Sequence, residues 1–279
     1  MLTRKQLEDI KKLQDICEKE DHIQLKLNWD MLENRHDHEI NDFFHYENNK
    51  LVGFLGLYGF GTKIEICGMV HPNYRRKGIF TQLLEEAKKE VATRNVRQVL
   101  LNTPSNSESG NAFLKKVPCE FTFREYQMRW EACEIHQEDG IKLREALPED
   151  LKHEIQLDVQ CFGFLEEEAR KYHEQLKQEN TQTCYIIEQN HQIVGKVRVY
   201  RHQGESWIYG FSVYPKYQGK GIGRKALKQL VLQETEAGFQ PHLEVQANNS
   251  NALKLYESCG FKTYMVQDYW GLSLNALTR

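Results

Sequence analysis

The chain has 279 residues, of which 40% are hydrophobic and 28% are charged, and its formal net charge is −3. This composition is typical of a soluble globular protein, and the length predicts about two domains. A negative net charge argues against a protein that binds nucleic acid by neutralising phosphates. No apolar segment approaches the roughly 18 residues needed to cross a bilayer, so we expect no membrane partner.

The seven cysteines form neither a disulfide framework nor a metal site in sequence. Their number is odd and no C-x-x-C pair occurs, so we expect reduced thiols and no metal. The N-terminus runs directly into polar helical sequence without a signal peptide, and we therefore predict a cytoplasmic protein. Cys161 is interpreted as a buried small hydrophobic residue rather than a nucleophile. His36 and His38 are expected to be solvated.

The first half of the chain begins with a helix and continues as an α/β pattern. Thr3 and Gln6 form a candidate capping box, and the helix carries an apolar stripe that ends at Cys17. No strand is evident before this helix. Residues 20–45 are polar and are expected to form a helix and loops. The next predicted elements are strands at 51–58 and 63–70, a helix at 78–93 and a strand at 98–102.

The second half contains a similar series of elements after a polar segment, 131–140, that ends in an Asp-Gly turn. Alternating strands and helices with few prolines indicate a mixed α/β sheet. The predicted strands are at 141–144, 184–188, 193–200, 207–213, 242–247 and 261–274, with helices from 148, at 166–177 and at 222–237.

An internal repeat relates the two halves. The segment 70–80 aligns with 213–223, and Trp130 aligns with Trp270, with an offset of about 140 residues in both cases. We therefore predict two tandem copies of one domain. The first copy is predicted at 1–135 and the second at 140–279.

A glycine-rich segment, Q-G-K-G-I-G-R from Gln218, follows the strand predicted to end at Val213. Apolar residues at helical spacing begin at Ile222, so the glycines lie where a strand turns into a helix. Free backbone N–H groups at such a turn favour an anion such as a phosphate. The segment is neither a Walker A loop nor a G-x-G-x-x-G dinucleotide fingerprint. An ordinary strand-to-helix turn remains the alternative.

A second motif, N-S-N-A-L-K-L-Y-E-S-C-G-F, spans residues 249–261. Asn249 or Ser250 is predicted to cap a short helix, and Gly260 is predicted to end it. Ala252 and Tyr256 lie four positions apart and therefore share one face of that helix.

Together the two motifs resemble the GNAT (Gcn5-related) N-acetyltransferase family, in which a Q-x-x-G-x-G loop precedes N-x-x-A-x-x-L-Y-x-x-x-G-F. The match in motif covers about residues 190–262. The resemblance implies an α/β fold with a mixed, mostly antiparallel sheet and flanking helices, here as two tandem GNAT domains, an arrangement also seen in mycothiol synthase. It implies acetyl-CoA as the co-substrate and transfer of the acetyl group to a primary amine by direct attack.

The resemblance also assigns two candidate catalytic residues. Tyr256 matches the family tyrosine that serves as general acid, and a phenol, with an ordinary pKa of about 10, can protonate a thiolate. The segment L-E-V-x-A-x-N resembles the ribosomal-protein alanine N-acetyltransferase branch, in which a glutamate matching Glu244 is the proposed general base. The alternatives are a tyrosine packed in the core, a glutamate on the surface, and a water that relays the proton.

The coenzyme contacts are also implied by the resemblance. The end of the strand is expected to bind the pantetheine arm, the loop backbone the pyrophosphate, and the capping asparagine the pantetheine or a phosphate. The predicted contacts are Phe211, Ser212, Val213, Gln218, Gly219, Lys220, Gly221, Ile222, Gly223, Arg224 and Asn249.

The first copy departs from the family pattern. Phe80 replaces the glycine of position 223 and is expected to crowd the pyrophosphate site, and Lys116 replaces the tyrosine of position 256. Arg76, Pro118 and Glu120 are further departures. We therefore predict a catalytic second copy and a degenerate first copy, with weak binding of coenzyme A through basic residues of the first copy as the alternative.

The acceptor and the oligomeric state stay open. Residues 145–180 are expected to line the acceptor groove, and their many Glu and Asp residues fit either a cationic amine or a solvated helix face. A peptide α-amine, a polyamine, an aminoglycoside and a small amino sugar remain alternatives. A non-catalytic acyl-CoA-binding or interaction module is the alternative function.

Overall fold

The structure, a computed structural model, describes residues 1–35, 39–136 and 138–273. His36, His38 and the last residue of the strand predicted at 261–274 lie outside these ranges. The chain forms two compact units. Unit 1 comprises Met1–Arg124 together with the residues from Met265 on, and unit 2 comprises Glu125–Tyr264.

Unit 1 is a sheet with helices on both faces. Its elements are α1 (Arg4–Asp21), α2 (Trp29–Glu33), β1 (Asp42–Glu47), β2 (Lys50–Phe60), β3 (Lys63–Val70), α3 (Ile79–Val91), β4 (Gln98–Pro104) and α4 (Glu108–Leu114). The strands β1, β2 and β3 pair antiparallel in that order, and β3 pairs with β4 in parallel. The predicted capping box is confirmed, because the Thr3 side chain accepts from the Gln6 backbone and the Gln6 side chain accepts from the Thr3 backbone.

The strand β1 was missed by the sequence analysis, which expected a helix and loops up to residue 45. Asn48 and Asn49 explain the strand, because both adopt positive φ angles, of 48° and 60°. Two consecutive residues in this conformation form the tight turn that joins antiparallel strands. The segment Asp42–Glu47 therefore folds back on β2 as an edge strand.

Unit 2 repeats this architecture. Its elements are β6 (Lys142–Glu145), α5 (Leu151–Phe162), α6 (Glu166–Glu179), β7 (Gln182–Gln189), β8 (Gln192–His202), β9 (Glu205–Val213), α7 (Ile222–Glu236), β10 (Gln240–Gln246) and α8 (Ser250–Ser258). The strands β6, β7, β8 and β9 pair antiparallel in that order, and β9 pairs with β10 in parallel. The predicted mixed, mostly antiparallel α/β fold is therefore confirmed.

Two long strands each contribute to both units: β5 (Cys119–Trp130) and β11 (Phe261–Leu272). In unit 1, residues 267–272 of β11 pair antiparallel with β4. In unit 2, residues 125–129 of β5 pair antiparallel with β10. Since the repeat aligns β5 with β11, each sheet takes its last strand from the other copy. The division predicted at 135–140 follows the repeat, whereas the compact units divide within these two strands.

Each unit has an apolar core between its sheet and one long helix, α3 in unit 1 and α7 in unit 2. In unit 1, α3 packs on the sheet through Leu83, Leu84, Ala87 and Val91. In unit 2, α7 packs through Leu227, Leu230 and Val231 against a cluster that includes Leu243 and Val245 of β10. The opposite face of the unit 2 sheet is covered by α5 and α6.

Candidate active site

The glycine loop of unit 2 joins β9 to α7. Gln218 fixes its start, because the side-chain amide donates a hydrogen bond of 2.8 Å to the Val213 carbonyl. Gly219 and Gly221 adopt φ angles of 73° and 78°, a left-handed conformation that glycine tolerates and other residues adopt at a cost. The helix begins at Ile222, as predicted.

The N-terminus of α7 is built to receive an anion. The first helical hydrogen bond runs from the Lys225 N–H to the Gly221 carbonyl at 3.1 Å. The N–H groups of Ile222, Gly223 and Arg224 precede it and therefore have no acceptor within the helix. Such N–H groups, at the positive end of the helix dipole, suit the pyrophosphate that the sequence analysis expects there.

Gly223 differs from the other two glycines, since its backbone is not in the left-handed region. A Cβ atom here would lie 3.4 Å from Leu255 of α8 and 3.7 Å from Phe211 of β9. These are ordinary van der Waals distances, so the first carbon of a side chain would fit between α7, α8 and β9 at this position.

The strands β9 and β10 separate beside this loop. Their parallel pairing ends at Ile208 and Leu243, although β9 continues to Val213 and β10 to Gln246. On its other edge, where it pairs with β8, β9 contains a bulge. Tyr209 and Ser212 are three residues apart, but they pair with Arg198 and Lys196, which are two residues apart. Gly210, with a φ angle of 55°, lies in this bulge. Residues 211–213 of β9 therefore lie beyond the pairing with β10, at the edge where the sequence analysis expects the pantetheine arm.

Glu244 lies one residue past the end of this pairing. It alternates with Leu243 and Val245, which are core residues, so its side chain lies on the face opposite α7. It is half-buried, and its carboxylate accepts a hydrogen bond of 2.8 Å from the Gln127 side chain, the residue opposite it on β5. The carboxylate is therefore held in place at the gap between β9 and β10.

Tyr256 lies on α8 and packs against the core on the α7 face. Its ring contacts Phe261 at an angle of 60°, with 6.2 Å between the ring centroids. Burial raises the pKa of its phenol to about 12, so the hydroxyl is protonated at neutral pH. Glu244 and Tyr256 thus lie on opposite faces of the unit 2 sheet, Glu244 at the end of the β9–β10 pairing and Tyr256 next to Leu255, which lies beside Gly223.

Other predicted contact residues have structural roles as well. The Asn249 side-chain oxygen accepts a hydrogen bond of 3.2 Å from the Ala252 N–H, which confirms the helix cap. Its amide nitrogen is therefore the group it could offer a ligand. Phe211 packs in the core, and Ser212 and Val213 pair with Lys196 and Gly195 of β8. Lys220 lies over the ring of Tyr217, 5.6 Å from its centroid.

Cys161 is positioned as a structural residue. Its thiol donates to the Val213 carbonyl at 3.4 Å, and burial raises its pKa. A thiol that is protonated and engaged in this way is a poor nucleophile.

The corresponding loop in unit 1 has nearly the same backbone. Arg76 adopts a φ angle of 64° and Gly78 one of 83°, close to the values of Gly219 and Gly221. A cavity of about 840 Å³ lies beside this loop, between the end of β3, the N-terminus of α3, β4 and α4. The Phe80 ring lines it and packs against Phe113, with 4.9 Å between centroids.

The positions that correspond to the candidate acid and base differ in unit 1. The parallel pairing of β3 and β4 ends at Leu101, as that of β9 and β10 ends at Leu243. Asn102 therefore corresponds to Glu244, and Lys116 aligns with Tyr256. Neither side chain matches the carboxylate and phenol of unit 2.

The sequence analysis missed a buried polar cluster on the α5/α6 face of unit 2. Lys196 and Arg198 of β8 are 0% and 7% exposed, and they lie among Asp158, His173 and Tyr172. The signal was present, because a lysine and an arginine alternate with valines in the central strand I-V-G-K-V-R-V-Y.

Comparison with known proteins gives the family. The model described as the acetyltransferase (GNAT) family matches residues 6–117 and again 149–261. The chain belongs to this family. It is a tandem GNAT protein with one match in each half, as the repeat predicted.

The most informative relatives by sequence match short segments. A segment of 70 residues is 38% identical to the spermine/spermidine N(1)-acetyltransferase of Bacillus subtilis and covers 24% of this chain and 46% of that protein. A segment of 64 residues is 40% identical to the [ribosomal protein bS18]-alanine N-acetyltransferase of Escherichia coli and covers 23% and 43%. The chain thus spans less than half the length of these curated relatives.

Solved structures show the fold over nearly the whole chain. A GCN5-related N-acetyltransferase from Sphaerobacter thermophilus has a TM-score of 0.76 at 16% identity, and the match covers 95% of this chain and 92% of that one. A tandem GNAT protein from the clavulanic acid biosynthesis pathway has a TM-score of 0.66 at 14% identity, with coverage of 88% and 87%.

The described part of the chain contains neither a candidate metal site nor a candidate membrane span. No group of three or more His, Cys, Asp or Glu residues is placed to hold a metal ion. No helix among the described residues is both long and apolar enough to cross a membrane.

Proposed function

We propose that unit 2 transfers an acetyl group from acetyl-CoA to a primary amine, in a complex that holds both substrates. One observation carries this proposal: Glu244 lies where the pairing of β9 and β10 ends, and Tyr256 follows Leu255, the α8 residue that lies beside Gly223 in the first turn of α7. The short-segment similarity of the chain to two amine acetyltransferases supports acetyl transfer to an amine.

The roles of the residues follow from their positions. When bound, acetyl-CoA would supply the thioester that an amine can attack. The backbone N–H groups of residues 219–224 would hold its pyrophosphate, and the edge of residues 211–213, beyond the pairing with β10, would hold its pantetheine arm. Glu244 would accept a proton from the acceptor ammonium, directly or through water, because an amine must be neutral to attack. Tyr256 would donate its phenolic proton toward the sulfur.

A second candidate function concerns unit 1, which we propose holds coenzyme A without transferring an acyl group. The cavity of about 840 Å³ and the loop backbone shared with unit 2 favour binding. Asn102 and Lys116, at the positions of the base and the acid, argue against transfer.

A calorimetric titration with acetyl-CoA tests both proposals. The wild type is compared with Gly221→Trp and Gly78→Trp, which place the same bulk at the same position of each loop. We expect Gly221→Trp to lose the site that supports turnover. Two sites in the wild type, of which each variant loses one, would establish the second candidate.

Three outcomes contradict the proposals. A single site that is lost only in Gly78→Trp would reverse the roles of the units. A single site that is lost only in Gly221→Trp would remove the second candidate. Absence of binding to the wild type would remove both and leave a GNAT fold used for interactions. Thermal melting of each variant checks that it is folded.

A further inference from the structure

The buried face of β8 in unit 2 carries two cations with different surroundings. The Lys196 ammonium lies 2.7 Å from the Asp158 carboxylate, donates to the Glu154 backbone carbonyl at 3.0 Å, and lies 3.3 Å from His173. Its charge and its donors are therefore satisfied within the protein.

Arg198, two residues further along, has no such partner. In the part of the chain that the structure describes, its guanidinium makes one hydrogen bond, from Nη1 to the Tyr172 hydroxyl at 3.1 Å. The Nε atom is buried and has no hydrogen-bond partner. A guanidinium carries five donors and is always charged, so a buried one with a single neutral acceptor is costly.

Other arginines show what Arg198 lacks. Arg201, on the same strand, donates to both oxygens of Glu234 at 2.8 and 2.6 Å. Arg35, which is 7% exposed like Arg198, also has a buried Nε atom without a hydrogen-bond partner, but its guanidinium lies 3.0 Å from the Asp42 carboxylate. The carboxylates near Arg198 are engaged elsewhere: Asp158 with Lys196 and His173, and Glu154 at 3.5 Å from His173.

The guanidinium lies at the bulge of β9, beside the candidate active site. Arg198 is opposite Tyr209 in the ladder, and a Cβ atom on Gly210 would be 2.9 Å from its Nε and Nη2 atoms. On β10, on the other side of β9, the pairing ends one residue before Glu244. Val197 and Val199 of β8 and Leu243 and Val245 of β10 belong to the same core. Arg198 and Glu244 alternate with them, so both side chains lie on the opposite face of the sheet, on the two strands that flank β9.

The two aligned positions on β2 of unit 1 carry no charge. Phe54 aligns with Lys196 and Gly56 with Arg198, and Phe54 is fully buried in an apolar cluster with residues of α1. A lysine and an arginine at these two strand positions therefore occur in the unit that also carries the candidate base and acid.

We propose that Arg198 binds a carboxylate of the acceptor, so that the acceptor is an amine of the amino-acid type rather than a polyamine. The carboxylate would take the place of the missing partner on the guanidinium, because arginine can offer two N–H groups to a carboxylate. The acceptor amine would then lie on the Glu244 side. This inference rests on the proposed function of unit 2.

The test compares acids with the same amines lacking the carboxylate: L-lysine with cadaverine, L-leucine with 3-methylbutylamine, and 4-aminobutyrate with propylamine. Binding is measured by calorimetry and acetyl transfer by release of free thiol. In the wild type we expect at least one acid to bind about 10- to 100-fold more tightly than its matched amine, the range for a hydrogen bond to a charged group.

Variants of β8 locate this preference. Arg198→Met should reduce the ratio of acid affinity to amine affinity to about one, and it should raise KM for the acid more than it lowers kcat. Arg198→Lys should restore part of this affinity ratio. Arg201→Met is the matched control, because its arginine is paired with Glu234, and it should keep the ratio.

The outcomes separate the two proposals. Equal binding of acid and amine in every pair, no binding of any acid, or a ratio that survives Arg198→Met would overturn the carboxylate site. Acetyl transfer to amines without any preference would overturn this inference alone. Preferential binding of an acid without detectable acetyl transfer to any member of the panel would retain the site and overturn the proposed function.

Discussion

Asn102 and Lys116 in unit 1 occupy the positions of Glu244 and Tyr256 in unit 2. The loop that precedes α3 in unit 1 and α7 in unit 2 has nearly the same backbone in both. The φ angles are 64° and 83° at positions 76 and 78, and 73° and 78° at positions 219 and 221. The ladder beside it differs. In unit 1, β2 and β3 pair without interruption, whereas β8 and β9 in unit 2 contain a bulge.

This comparison shows which parts of a GNAT domain are independent of one another. The loop has nearly the same backbone conformation in both units although the side chains at the positions of the candidate acid and base differ. The shape of the loop therefore does not depend on those side chains. A phenylalanine and a glycine also trade places beside this loop, one on the strand before it and the other on the helix after it. Unit 2 has Phe211 on the strand and Gly223 on the helix, whereas unit 1 has Gly68 and Phe80, and a Cβ atom on Gly68 would lie 2.8 Å from the Phe80 ring.

The largest effect that we expect is on the stability of unit 2. Lys196→Met should lower the free energy of unfolding by about 3 to 5 kcal/mol, because it leaves a buried Asp158 without its ammonium partner. Phe54→Met, the change at the aligned position, should cost about 1.5 kcal/mol or less, since it exchanges one apolar side chain for another. Urea unfolding measures both, and equal losses would show that the buried charge pair does not stabilise unit 2.

The next effect concerns the candidate acid. Tyr256→Phe should lower kcat by about 100-fold or more, because it removes the proton donor and keeps the packing, while acetyl-CoA binding persists. Since burial raises the pKa of this phenol to about 12, its ionisation should not reduce turnover near pH 10. Lys116→Met in unit 1 is the control and should leave kcat unchanged. Turnover that survives Tyr256→Phe would exclude this residue from the mechanism.

A smaller effect is expected for the candidate base. Glu244→Gln should lower turnover by about 10- to 100-fold at neutral pH, since the amide cannot take a proton but can still accept the hydrogen bond from Gln127. Turnover measured against pH should recover partly at high pH, where the acceptor amine is already neutral. Asn102→Ala should leave the profile unaltered. A wild-type profile in Glu244→Gln would favour a water relay that does not involve this carboxylate.

Much of the fold could be predicted from the sequence because its signals are local. Positive-φ glycines, a capping asparagine at 249 and alternating apolar residues determine the loop, the short helix and most strands. The edge strand Asp42–Glu47 was missed because its residues do not alternate, and pairing with β2 stabilises it. The exchange of β5 and β11 is also invisible in sequence, since two aligned strands fit either sheet equally well by pattern.

The candidate site was predictable where it depends on motifs and not where it depends on burial. Glu244 and Tyr256 lie in segments whose spacing resembles the family. The partner of Glu244, Gln127, comes from a strand more than a hundred residues away, and no local pattern marks it. The difference between Lys196, which is paired, and Arg198, which is not, depends on distances to α5 and α6 that a sequence does not contain.

The smallest effect tests the shared loop backbone. Arg76 is exposed and holds a left-handed conformation that Gly219 adopts without a side chain. Arg76→Gly should therefore stabilise unit 1 by about 0.5 to 1 kcal/mol, because relief of the strain exceeds the entropy that glycine adds to the unfolded chain. Gly219→Arg should destabilise unit 2 by a similar amount. Urea midpoints measure both, and a loss of stability in Arg76→Gly would mean that contacts of the Arg76 side chain outweigh the backbone strain.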